Sequence, residues 1–129
     1  MDILIGITFG SFFMRLKLIL LFVFFYCGVI YSQLNELSLL VKNTDQTRFS
    51  YIEEYAKNKW NDDAGAMEFE INKQSEGYVL VLKLLNEHWE CQEHKTLIAL
   101  EINKNSTDHD DFSDANWWRI YQEIKNRMN

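Results

Sequence analysis

The chain has 129 residues, a formal net charge of -6 and charged residues at 25% of its composition. That is room for one domain of ordinary size, roughly 100–150 residues. A hydrophobic fraction of 47% disfavours a disordered or fibrous chain, and an acidic balance disfavours binding to nucleic acid through phosphates, which needs a basic surface.

The first 33 residues differ in kind from the rest. Arg15 and Lys17 precede an uncharged run from Leu18 to Ser32, wholly apolar from Leu18 to Phe25. Basic residues followed by a short apolar segment form the pattern of a secretory signal, whose charged end stays behind while the apolar helix enters the translocation channel. A second apolar stretch, Ile3 to Phe13, lies before the basic pair, so Met14 is expected as the true start. The alternative is a membrane anchor at residues 16–31. A span needs about 20 apolar residues, and the uncharged run is shorter. Cleavage is expected between Tyr31 and Leu34, giving an exported chain, periplasmic or secreted. Residues 34–129 form the expected single domain. Removal of Asp2, Arg15 and Lys17 leaves 18 acidic against 11 basic residues. Cys91 is then the remaining cysteine, so packing rather than a disulfide holds the domain together.

Along that domain, residues 34–60 carry helical spacing in Leu34, Leu37, Leu40 and Val41, and again in Phe49, Ile52, Ala56 and Trp60. Asn43-Thr44-Asp45 is a possible cap that divides this stretch into two helices. Asn61 to Gly65 is a stop signal. Residues 66–72 alternate, with Met67, Phe69 and Ile71 on one side, and predict a half-buried strand. Lys73 to Gly77 reads as a turn. Tyr78 to Leu85, with Leu80 and Leu82 in its middle and apolar residues on both faces, reads as a central strand. Asn86 to His94 is read as a strand followed by a turn near Gln92–Lys95, and Thr96 to Ile102 as a further strand. Asn103 to Ser113 is a polar, acidic loop. Ser113 or Asp114 caps a last helix with Trp117, Ile120, Tyr121, Ile124 and Met128 on one stripe. The expected fold class is therefore α+β: an N-terminal helix, an antiparallel sheet of three to four strands and a C-terminal helix, with the helices on one sheet face.

Three groups of residues carry chemistry. His88, Cys91 and His94 are all metal-competent, but neither a strand nor a helix alone brings them to one point; a turn near Gln92 could. They also admit a thiol nucleophile with an imidazole base. Asp108 to Asp114 is acidic but fails the EF-hand pattern for want of a glycine, and its acids suit the helix N-terminus that follows. Trp118 falls off the core stripe set by Trp117 and is the residue named for contact with a partner. Asn105-Ser106-Thr107 fits the N-glycosylation pattern. No GxGxxG, Walker or GxSxG motif occurs, so no cofactor is expected.

The leading expectation is a small exported, non-catalytic module that binds a protein partner, with no nucleic acid and with membrane contact only through an uncleaved N-terminal segment. Two alternatives stand beside it. One is a metal-dependent or thiol enzyme using His88, Cys91 and His94. The other is a truncated piece of a larger exported protein.

Overall fold

The computed structural model describes residues 17–19 and 34–129. The chain divides into Met1–Gln33 and Leu34–Asn129. In the first unit Lys17, Leu18 and Ile19 are helical; the rest of the expected signal, including the cleavage region, lies outside the described residues. Among the described residues no helix is long and apolar enough to cross a membrane; of the anchor alternative at residues 16–31, all but residues 17–19 lie outside them.

The second unit is built from five helices: α1 Glu36–Thr44, α2 Gln46–Trp60, α3 Ala64–Glu87, α4 Gln92–Lys104 and α5 Trp117–Met128. Among the described residues there is no strand, so the expected α+β fold with its sheet is wrong and the domain is all helical. Four of the five starts carry a side-chain cap. Asn35 accepts the Ser38 N–H, Asp45 that of Arg48, Asp63 that of Ala66 and Asn116 that of Arg119. Each satisfies a backbone donor that a helix start leaves unpaired. The expected division of 34–60 falls at Asp45, which ends α1 and caps α2. The last helix begins at Trp117 and is capped by Asn116, not by Ser113 or Asp114 as expected.

The 24-residue α3 is the centre of the fold, packed by α1 and α2, by α5 and, less extensively, by α4. Its core stripe explains why residues 66–85 read as two strands and a turn. Met67, Ile71, Gln74, Tyr78, Val81 and Leu85 recur at the alternating four- and three-residue spacing of one helix face. Glu70, Gln74, Ser75 and Gly77 are buried with them. Four polar or small residues on the inner face dilute the helical period of apolar residues, while the outward Phe69 and Leu82 (65% and 44% exposed) complete an apparent two-residue alternation. Likewise, Ile98 is buried in α4 but Leu100 is exposed, because the helical stripe runs from Ile98 to Glu101 and Ile102 and leaves Leu100 outside it. The stretch expected as a third strand, Asn86 to His94, is instead the end of α3, a turn and the start of α4.

Gly77 sits in mid-helix rather than in a turn. A Cβ on it would lie 2.5 Å from the Trp118 nitrogen and 2.6 and 2.7 Å from the Trp117 carbonyl carbon and oxygen. The start of α5 thus crosses α3 backbone against backbone, at a separation that no side chain larger than hydrogen permits. The core runs from Val41, Phe49, Ile52 and Ala56 through Ile71, Val81 and Ile98 to Trp117, Ile120 and Ile124. The stripe expected on the last helix is thereby found on α5.

Candidate functional site

The start of α5 is fixed by a chain of polar side chains buried along α3. Glu70, 1% exposed, accepts hydrogen bonds from Lys59 Nζ and Trp60 Nε1, each at 3.1 Å, and from Gln74 Nε2 at 2.8 Å. Gln74 Nε2 also reaches Asn116 Oδ1 at 3.1 Å, and Gln74 Oε1 accepts the Trp118 N–H at 3.2 Å. Asn116 Oδ1 accepts the Arg119 N–H at 3.1 Å. Two of the free N–H groups of α5 are thus satisfied, one from within the helix and one from α3. Burial alone would raise the Glu70 carboxyl, but the bonds from Gln74, Trp60 and Lys59, with the Lys59 charge, hold it below the usual carboxylate value.

Outside this seam lies an open groove of about 300 Å³ lined by Asn35, Phe69, Asn72, Lys73, Glu76 and Trp118. Asn72 Oδ1 pins its α1 wall by accepting the Asn35 N–H at 2.9 Å and the Ser38 hydroxyl at 2.7 Å. Trp118 is half-buried and tilts against Tyr121, with ring centroids 5.9 Å apart. A second open groove is lined by Trp118, Tyr121, Gln122, Lys125 and Asn126. Trp118 therefore belongs to the boundary between core and solvent, where the helix phase put it. Phe69 is the residue that sequence reasoning missed. The alternation of residues 66–72 pairs it with Met67 and Ile71 on a strand face, whereas the four- and three-residue spacing through α3 places it outside.

The residues 105–116 connect α4 to α5 in a self-bonded loop. Asp114 accepts hydrogen bonds from the Ser106 and Thr107 hydroxyls and from the N–H groups of Thr107 and Asp108. The bonds from Thr107 and then Ser106 hold its carboxyl well below the usual range. Asp108 is bonded to Ser113 and to the N–H groups of Asp110 and Asp111. The acids of this loop thus shape their own backbone. Arg48 of α2 clamps the loop, donating to the Phe112 and Asp111 carbonyls at 2.8 Å each, while its guanidinium lies against the Trp117 ring, 5.1 Å from the centroid. Within the glycosylation pattern, Asn105 donates its amide to the Glu101 carbonyl at 2.9 Å and Ser106 is buried.

His88, Cys91 and His94 occupy the turn between α3 and α4. His88 ends α3 and Cys91 is the N-cap residue of α4, its thiol making no capping hydrogen bond. The turn brings the two histidines together: their Nδ1 atoms are 2.9 Å apart and their rings meet edge to face at 4.6 Å. Cys91 does not complete a triad with them, since among the described residues no group of three or more His, Cys, Asp or Glu side chains is placed to hold a metal ion.

Comparison of the chain with family models, with curated proteins and with solved structures returns no match.

Proposed function

We propose that residues 34–129 form a small, exported, non-catalytic binding module whose contact face is the groove between Phe69 and Trp118. The observation that carries this reading is a phenyl ring 65% in water and a half-buried indole lining one groove. Large aromatic side chains exposed together are a store of apolar area whose burial favours association. Both sit on helices, and α5 is set closely against α3 at Gly77, so their backbones need little ordering on binding. The rim is mixed, with Lys73, Glu76 and two asparagines, which suits an apolar side chain of a protein segment better than a highly charged ligand. Export rests on Arg15 and Lys17 before the apolar run Leu18–Phe25.

The test is recovery of partners from the exported fraction, followed by affinity measurements on the purified pair with Phe69→Ser and Trp118→Ala. Each change is expected to weaken binding by about 2 kcal/mol or more, while Phe69→Ser leaves the thermal midpoint nearly unchanged because its ring is exposed. Undiminished affinity in both variants would refute the assignment of this face. Intact mass of the exported protein tests the other half of the proposal: a chain that still contains Leu18 to Phe25 is incompatible with cleavage between Tyr31 and Leu34.

A further inference from the structure

We propose that His88 and His94 form a two-nitrogen site for a divalent ion of the copper or nickel type, with solvent in the remaining coordination positions. Two imidazoles from the end of one helix and the first turn of the next meet through the same kind of atom, Nδ1, in a hydrogen bond of 2.9 Å that a metal ion held by both nitrogens would replace. Two nitrogens bound cis to a metal at about 2.0 Å and a right angle stand about 2.8 Å apart, whereas a tetrahedral angle requires about 3.3 Å. Bridging the pair therefore asks for little movement of the rings in either geometry, and the preference for copper and nickel rests on the suitability of imidazole donors and on the affinity order that peaks at Cu²⁺. The pair is positioned by the fold rather than by two free side chains. His88 N–H donates to the Leu84 carbonyl at 3.0 Å, the Cys91 N–H donates to the His88 carbonyl at 2.9 Å, and the Lys95 N–H to the Cys91 carbonyl at 3.1 Å. Successive bonds therefore define the turn that sets one ring against the other. Both histidines are half-buried and so reachable from solvent. Lys95, the cation of this turn, has its ammonium 4.6 Å from the centroid of the Trp89 ring. Glu90 and Glu93 are exposed in the same segment and add negative charge to the surroundings of a bound cation.

The experiment is a calorimetric titration of the full chain with Cu²⁺, Ni²⁺ and Zn²⁺ separately. It is repeated on His88→Ala, His94→Ala, Cys91→Ser and His109→Ala, each checked for native helicity by circular dichroism. One Cu²⁺ or Ni²⁺ per chain is expected, at micromolar affinity and tighter than Zn²⁺. Binding should weaken at least tenfold in either variant of the pair and stay unchanged in Cys91→Ser and His109→Ala. Electron paramagnetic resonance of the Cu²⁺-loaded wild type gives a readout independent of the variants and should show two coordinated imidazole nitrogens. No saturable binding, binding that survives loss of either histidine, binding lost in Cys91→Ser, or a spectrum without imidazole nitrogens would each overturn the proposal.

Discussion

Replacing Gly77 by alanine sets two known effects against one another. In a solvated helix interior the change favours folding by about 0.5–1 kcal/mol, because glycine loses more backbone freedom than alanine. At Gly77 the added carbon meets the Trp117–Trp118 peptide at 2.5–2.7 Å, about 1 Å inside an ordinary contact of roughly 3.5–4.0 Å. The obstructing atoms are backbone, so no rotamer change relieves them and α5 must move away from α3. Overpacking of this kind costs about 1–3 kcal/mol. The same movement lengthens the bonds from Gln74 to Asn116 and to the Trp118 N–H, 3.1 and 3.2 Å in the wild type, at about 1 kcal/mol each. The net expectation is a loss of about 2–4.5 kcal/mol, which for a domain of this size lowers the thermal midpoint by about 10–20 °C. Thermal and urea unfolding followed by helical circular dichroism measure it. Gly65→Ala is the matched control: it lies in the first turn of the same helix, and the nearest atom to an added Cβ is 3.8 Å away, so stability should hold or rise slightly. A Gly77→Ala protein as stable as the wild type would refute the close crossing on which the proposed contact face depends.

Further outcomes are expected from other parts of the fold. Arg127→Ala removes the guanidinium 3.1 Å from Glu101, whose side chain is 1% exposed, and should cost about 2–3 kcal/mol in urea unfolding, less than for a fully enclosed pair because Arg127 is half-exposed; Glu101→Gln combined with Arg127→Ala should recover part of the loss. Ile120→Ala, at a fully buried site, should cost about 2–5 kcal/mol, whereas Leu82→Ala should cost less than about 1 kcal/mol because the side chain already meets water; the reverse order would contradict the helical phase of α3. The carboxyls of Glu70, Asp108 and Asp114 are held below their ordinary values, and that of Glu68 is raised by burial. The first three favour the folded state above the unfolded carboxyl range near pH 4 and lose that contribution as pH falls through their folded values; Glu68 acts in the opposite sense. The thermal midpoint should therefore decline below about pH 4, and Asp114→Ala should raise amide exchange at Thr107 and Asp108 at neutral pH.

The helical period was readable wherever the inward residues are apolar. In α5 the stripe Trp117, Ile120 and Ile124 is buried as its spacing requires, and in α2 Phe49, Ile52 and Ala56 are likewise buried. A cap within Asn43-Thr44-Asp45 was visible because short polar side chains between two such periods have a local reason to be there, and the structure gives the role to Asp45. The boundary position of Trp118 followed from the phase of its neighbours alone. The sequence also determined the chain's acidity, the lack of glycine-rich phosphate loops and the charge pattern of the first 33 residues.

Only the tertiary structure decided the centre of the molecule. Glu70, Gln74 and Ser75 face inward on α3, and the two long polar side chains, Glu70 and Gln74, are tolerated there because their partners lie on other helices: Lys59 and Trp60 on α2, Asn116 and the Trp118 N–H at the start of α5. Those partners are 10 to 44 residues away, beyond any window of local periodicity, so the inner face looked like the outer one and the helix looked like two strands. Gly77 carried the signal of a turn, and the approach of a distant backbone, not its own conformation, explains it. The meeting of His88 with His94 likewise depends on where α3 stops, which the capping geometry of the turn sets and the spacing of the residues does not.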